Sequence, residues 1–194
     1  MNKILILALV ASAMPALAGT SKNPVAPVEP PPAPGLSYDF VAVGYNRGFS
    51  DVGSDTDAIG AAFSMSFTEN LFGQVGAGLS GVDGLDDFSA SALVGAHVNV
   101  IGDVDFILGA GAAYADSTDE DVAFISTAAL RSFIGPVDAS VGVNYADFGD
   151  GSWTGFVALW VPITEQLDIG INGGIDLENS DNYTLGGGFR YRFQ

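Results

Sequence analysis

One histidine, His97, and six lysines and arginines stand against 23 aspartates and glutamates in this chain of 194 residues. Any proton transfer at neutral pH therefore centres on a single imidazole. Counting back across the link that follows His97 puts Asp105 diagonally adjacent to it. A carboxylate-held imidazole acts as a general base only with a serine or comparable nucleophile in reach. The local run is His97-Val98-Asn99, so the next residue on the same face is an amide, not a hydroxyl. The expectation is a hydrogen-bonded histidine and no catalytic centre. One histidine and no cysteine also fall short of a transition-metal ligand set, and no cofactor is expected.

The other charges fall into two groups. Arg131 and Asp138 flank the Gly135-Pro136 pair, so they lie diagonal to one another across a tight turn, and Asp168 is placed to oppose Arg190 or Arg192. His97, Asp105, Arg131, Asp138, Asp168, Arg190 and Arg192 thus share one level and one face. They fit an ion-pair network that fixes strand register, or a charged constriction of the kind that sets selectivity in a pore. The second group is acidic: Asp51, Asp55, Asp57, Asp83, Asp86, Asp87, Asp116, Asp119, Glu120, Asp121, Asp147, Asp150, Asp176, Glu178 and Asp181 all fall in or beside the longer polar links, with Arg47 as counter-charge. The formal net charge of -17 repels phosphate backbones and argues against nucleic-acid binding. Hard carboxylate oxygens could bridge divalent cations to anionic lipid headgroups.

What positions these groups is a series of strands. From Leu36 onward apolar residues alternate with small or polar ones, the period of a strand with one apolar face. Ten strands are read at 36–47, 57–67, 71–80, 88–100, 104–114, 122–134, 137–147, 153–163, 167–177 and 182–193. In the third, Leu71, Gly73, Val75, Ala77 and Leu79 share a face against Phe72, Gln74, Gly76, Gly78 and Ser80. These lengths match tilted transmembrane strands. Short turns at 68–70, 101–103, 135–136 and 164–166 alternate with longer polar links, so the repeating unit is a hairpin.

The face opposite the apolar one is mainly Gly, Ser and Ala, and no lysine follows Lys22. A soluble sandwich or barrel needs long polar side chains on its wetted face. The apolar face is therefore read as facing lipid and the small face as lining a narrow lumen, with the sheet closed so that no backbone group is left unpaired. The fold class expected is an all-β, closed antiparallel transmembrane barrel of ten strands, eight being the alternative. Inward glycines such as Gly76, Gly95, Gly109, Gly170 and Gly186 add almost no volume, which predicts a largely water-filled interior, restricted at the end that carries the short turns. Tyr45, Tyr114, Tyr145, Trp153 and Tyr183 fall near one rim, and Phe67, Phe106, Tyr191 and Phe193 near the other, as interfacial belts require.

At the N-terminus, Lys3, the apolar run Ile4 to Val10 and Ala16-Leu17-Ala18 have the form of a secretory signal cleaved after Ala18. Residues 19–35 hold six prolines, which enforce an extended periplasmic segment. The barrel takes up 36–194. With this signal, the Val43-Gly44-Tyr45 strand end and the ending Phe189-Arg190-Tyr191-Arg192-Phe193, the chain resembles the small outer-membrane β-barrel families, OmpA-like and OmpW-like. The resemblance implies an exported protein of a Gram-negative outer membrane, with Phe189, Tyr191 and Phe193 as the signal read by the barrel-assembly machinery. Outer-membrane lipids and lipopolysaccharide are the expected partners, and no enzyme activity is expected. A structural or surface-interaction role is expected. A narrow porin-like channel for ions and very small solutes is the alternative, and a lipid-modifying enzyme or protease a remote one.

Overall fold

A computed structural model of the chain describes residues 36, 38–51, 53–116, 122–149 and 151–193. The expected signal peptide and proline-rich segment lie outside the described residues. Ten strands follow one another: β1 (Phe40–Phe49), β2 (Thr56–Ser66), β3 (Leu71–Gly81), β4 (Asp87–Ile101), β5 (Val104–Ala115), β6 (Val122–Ile134), β7 (Val137–Ala146), β8 (Ser152–Pro162), β9 (Leu167–Asp176) and β10 (Tyr183–Arg192). Each pairs antiparallel with its sequence neighbours, and β1 closes onto β10 with Phe40 opposite Arg192 and Phe49 opposite Tyr183. Closure leaves no open edge, so every wall strand has a hydrogen-bonding neighbour on both sides.

The expected parity holds on the clearest strands. Along β9, Ile169, Ile171 and Ile175 are exposed while Asp168, Gly170 and Asp176 are buried. Along β3, Leu71, Val75 and Leu79 face outward and Phe72, Gln74 and Ser80 inward. The outer face is an apolar belt in which Val43, Val94 and Ile171 are more than half exposed. An exposed apolar surface of this extent is stable only against lipid.

The short turns have two designs. Gly135-Pro136 and Gly102-Asp103 are two-residue connections with the glycine at φ 62° and 55°, the left-handed first position that primed hairpin turns require. The runs Phe67-Thr-Glu-Asn-Leu71 and Ile163-Thr-Glu-Gln-Leu167 form the second design twice. Thr68 Oγ1 accepts the Asn70 and Leu71 N–H groups at 3.3 and 3.1 Å, and Thr164 Oγ1 accepts those of Gln166 and Leu167 at 3.2 and 3.0 Å. The repeated sequence is thus a repeated hydroxyl-capped turn.

Two expectations change. The first strand begins at Phe40, not at residue 36: Tyr38 leaves the wall and lies inside the barrel, 1% exposed. Several inward glycines, moreover, are receptacles for large neighbours and not open space. A methyl group at Gly95 would meet the Phe72 ring at 2.2 Å, one at Gly109 would meet Leu93 Cδ1 at 2.3 Å, and one at Gly170 would meet the Trp160 ring at 2.3 Å. One void, where Ala42, Asn46, Ala62, Trp160 and Asn172 approach, has a volume of about 30 Å³, room for little more than one water. Gly170→Val is accordingly expected to destabilise the barrel by about 1–3 kcal/mol through overpacking against Trp160. An unchanged urea midpoint in the refolded variant would show that the Trp160 ring is not wedged there.

Candidate functional site

The end of the barrel that carries the short turns is filled by a charged layer built from six strands, β4 to β7, β9 and β10. Asp138, near the start of β7, receives Arg131 of β6 in a two-pronged contact, Nε at 2.9 Å on Oδ1 and Nη2 at 2.8 Å on Oδ2. The tight Gly135-Pro136 turn produces this pairing by placing the two side chains diagonally on the inner face. Arg190 of β10 reaches from further round the wall, donating Nη2 to Asp138 Oδ2 at 2.8 Å and Nε to Asp168 Oδ2 at 2.6 Å. Asp168 stands directly opposite Arg190 in the β9–β10 register and also pairs with Arg192 at 3.2 Å. The result is a continuous chain, Arg131–Asp138–Arg190–Asp168–Arg192, in which Arg131, Asp138, Asp168 and Arg190 are each no more than 2% exposed.

His97 and Asp105 join this layer from β4 and β5. His97 Nδ1 lies 3.1 Å from Asp105 Oδ2, and Asn99 Nδ2 donates to the other carboxylate oxygen at 3.4 Å. Tyr38 bridges the halves. Its ring stacks on Phe72 at 4.5 Å and on His97 at 4.1 Å, its hydroxyl donates to Asp105 at 3.4 Å, and the Arg131 guanidinium sits 5.2 Å over its face. On the opposite side Trp160 faces Asp138 across the β7–β8 pair and carries Arg190 over its ring at 4.9 Å. Guanidinium on aromatic faces in a water-poor setting adds to the ion pairs.

All seven residues expected at the constriction are therefore brought to one level. Tyr38 and Trp160 are the members that inspection of the sequence missed. Trp160 was legible, because it shares inward parity with Phe156 and Ala158 on β8. Tyr38 was legible only in part: its parity is inward, but its departure from the wall is not a local property. Among the described residues, the hydroxyl in hydrogen-bonding contact with the His97–Asp105 pair is that of Tyr38, not a serine.

Toward the other end the interior carries an apolar cluster beside buried polar side chains such as Asn46, Asn144 and Thr154. Leu93, Ile125, Phe148 and Phe156 form one buried cluster with several inward alanines and, through Phe72 and Tyr38, with the charged layer. At that rim, Arg47 points outward and pairs with Asp55 at 3.1 Å and Asp57 at 3.4 Å, and the Tyr45 hydroxyl also contacts Asp57. The remaining described acidic side chains are spread around the rim: no group of three or more carboxylate or histidine ligands could hold a metal ion among the described residues. Asp119, Glu120, Asp121 and Asp150 lie outside the described residues. At the opposite rim, Phe189 and Tyr191 face outward, and Phe193 stacks on Phe63 at 5.5 Å.

No protein-family model matches the chain, and no curated protein matches it. Among solved structures it is similar to the KdgM porin, with 13% identity over 79% of this chain and 99% of that one and a TM-score of 0.50. Weaker matches include Ail, the attachment invasion locus protein of Yersinia pestis, at 12% identity, 79% and 97% coverage and TM-score 0.31. Omp33 of Acinetobacter baumannii matches at 15% identity, 80% and 98% coverage and TM-score 0.34. The last two scores carry no weight. At such identity the first shows architecture alone: this chain has the fold of the outer-membrane β-barrels, a closed antiparallel barrel of ten strands.

Proposed function

We propose that this chain is an integral outer-membrane protein whose barrel acts as a structural or surface-presenting element with a closed lumen. The short-turn end faces the periplasm and the acidic rim faces outward, the arrangement expected for outer-membrane barrels. Export uses the N-terminal signal, and Phe189, Tyr191 and Phe193 present the alternating aromatic edge to the assembly machinery. The apolar belt and its aromatic rims meet outer-membrane lipids and lipopolysaccharide, with the acidic rim as a diffuse field that gathers cations. The protein carries out no chemical reaction.

The observation that supports a closed lumen is the charged layer. A conducting constriction keeps its charges hydrated so that ions can enter and leave, whereas Arg131, Asp138, Asp168 and Arg190 neutralise one another out of contact with water, roofed by Tyr38 and Trp160. The porin-like reading is favoured by the shared architecture with the KdgM porin and requires this layer to part. Planar-bilayer recording separates the two. Wild-type protein, shown to be folded by its heat-modifiable mobility, is expected to be electrically silent. Arg131→Ala/Arg190→Ala, which removes volume and positive charge at the layer, is expected to open discrete, cation-selective steps. Steady single-channel currents from the wild type would favour the porin reading.

A further inference from the structure

The chain enters the barrel wall by way of a side chain that is not part of the wall. Tyr38 precedes β1 and is 1% exposed. One residue, Asp39, links it to the first strand, and the Asp39 carboxylate accepts the Ser66 N–H at 2.6 Å. Tyr38 itself is held by its ring and its hydroxyl. The Phe72 ring stacks on it at 4.5 Å and the His97 ring at 4.1 Å, the Arg131 guanidinium lies 5.2 Å over its face, and the hydroxyl donates to Asp105 Oδ2 at 3.4 Å.

These four neighbours have partners of their own that fix them without Tyr38. Phe72 is seated on Gly95, where a methyl group would meet its ring at 2.2 Å. The Asp105 carboxylate is held by His97 Nδ1 at 3.1 Å and by Asn99 Nδ2 at 3.4 Å, and Arg131 by its two-pronged contact with Asp138. They stand on β3, β4, β5 and β6, consecutive strands of the closed sheet. A space bounded in this way keeps its shape when the ring leaves it, because a packed interior relaxes only in part around a lost side chain. Ring-sized spaces of that kind take up free aromatic molecules.

The chemistry of the space selects its occupant. Aromatic faces and a guanidinium favour a flat, electron-rich ring. The carboxylate at the hydroxyl end accepts a hydrogen bond from an O–H and offers nothing to an ether oxygen. We propose that Phe72, His97, Asp105 and Arg131 form a preformed binding slot for a monocyclic phenol at the short-turn end of the lumen, and that Tyr38 is its tethered occupant. The chain ahead of β1 is thereby moored to the barrel by an exchangeable contact. The short tether gives Tyr38 an effective concentration in the millimolar range or above. A free phenol below that level is therefore excluded from the wild type and enters when residue 38 has no side chain. The slot does not depend on whether the lumen conducts.

Tyr38→Gly, made in the full mature protein and refolded in detergent, tests this with 4-methylphenol, which has the shape of the tyrosine side chain. The comparison probe is 4-methylanisole, which enters micelles and carries the same ring but has no O–H. The thermal midpoint of Tyr38→Gly is expected to lie below that of the wild type. It should rise with 4-methylphenol in a saturable way, by about 3–6 °C at ten times the half-saturating concentration. 4-Methylanisole should restore little of this, and the wild-type midpoint should not rise at the same concentrations. If Tyr38→Gly does not refold unaided, the refolded fraction read from heat-modifiable mobility in the two probes gives the same comparison. No gain from 4-methylphenol would mean that the walls close when the ring is removed. An equal gain from both probes would mean that the hydroxyl is not recognised, and an equal rise in the wild type would place the probe elsewhere. Each of these results overturns the proposal.

Discussion

Asp138→Ala is expected to destabilise the folded barrel by about 3–5 kcal/mol, because it leaves two buried guanidinium groups short of their shared anion. Asp138 accepts two hydrogen bonds from Arg131 and one from Arg190. Asp168 remains as a partner for Arg190. The magnitude follows from burial: neither arginine can recover hydration without opening the barrel end that Tyr38 and Trp160 cover. Asp138→Asn keeps an acceptor and loses the charge, so it should fall between wild type and alanine. Removing the exposed Arg47–Asp55 contact is the control and should cost no more than about 1 kcal/mol. Urea unfolding in lipid vesicles gives the comparison, and Trp160, opposite Asp138, contributes a fluorescence signal from the layer itself. A loss below about 1 kcal/mol in Asp138→Ala would mean that water already reaches the layer, and the case for a closed lumen would fall with it.

Ile171→Arg is expected to cost about 2–4 kcal/mol, since Ile171 is 63% exposed on the outward face midway along β9, where lipid-facing arginine is most penalised. Its neighbour Asn172 points inward and donates Nδ2 to Asn46 Oδ1. Asn172→Asp loses that donor, and the Asn46 amide can turn its own nitrogen toward the new carboxylate, so a cost of about 1 kcal/mol is expected. The contrast between adjacent residues reads the two faces of the wall directly. Equal damage at 171 and 172 would indicate water on both faces and a soluble β-fold. The measurement is the same unfolding experiment in vesicles, repeated at two bilayer thicknesses to confirm that only the Ile171 variant responds to the lipid.

The sequence by itself determined the elements and the local pairings, because both depend on neighbours in the chain. Alternation with period two assigned Leu71, Val75 and Leu79 outward and Phe72 and Gln74 inward without reference to any other strand. A hairpin with a two-residue turn couples residues a few positions apart, so Arg131–Asp138 and His97–Asp105, separated by 7 and 8 residues, were legible from turn position alone. Thr68 and Thr164 were visible as a repeated turn before their hydrogen bonds were known.

Contacts across the lumen were decided only by the tertiary structure. They depend on how the closed sheet staggers and tilts, which no local pattern encodes. Arg190 meets Asp138 from 52 residues away and Tyr38 meets Asp105 from 67. Inward glycines at 95, 109 and 170 suggest empty space when each strand is read singly; in the closed sheet, side chains of the neighbouring strands, Phe72, Leu93 and Trp160, lie over them. Asp176 shows the same limit most sharply. In the sequence it is one of many rim acids, and only the pairing of β9 with β8, which sets it opposite Thr154 on the inner face, makes it a buried side chain. Burial, and not residue type, separates it from the solvated aspartates beside it.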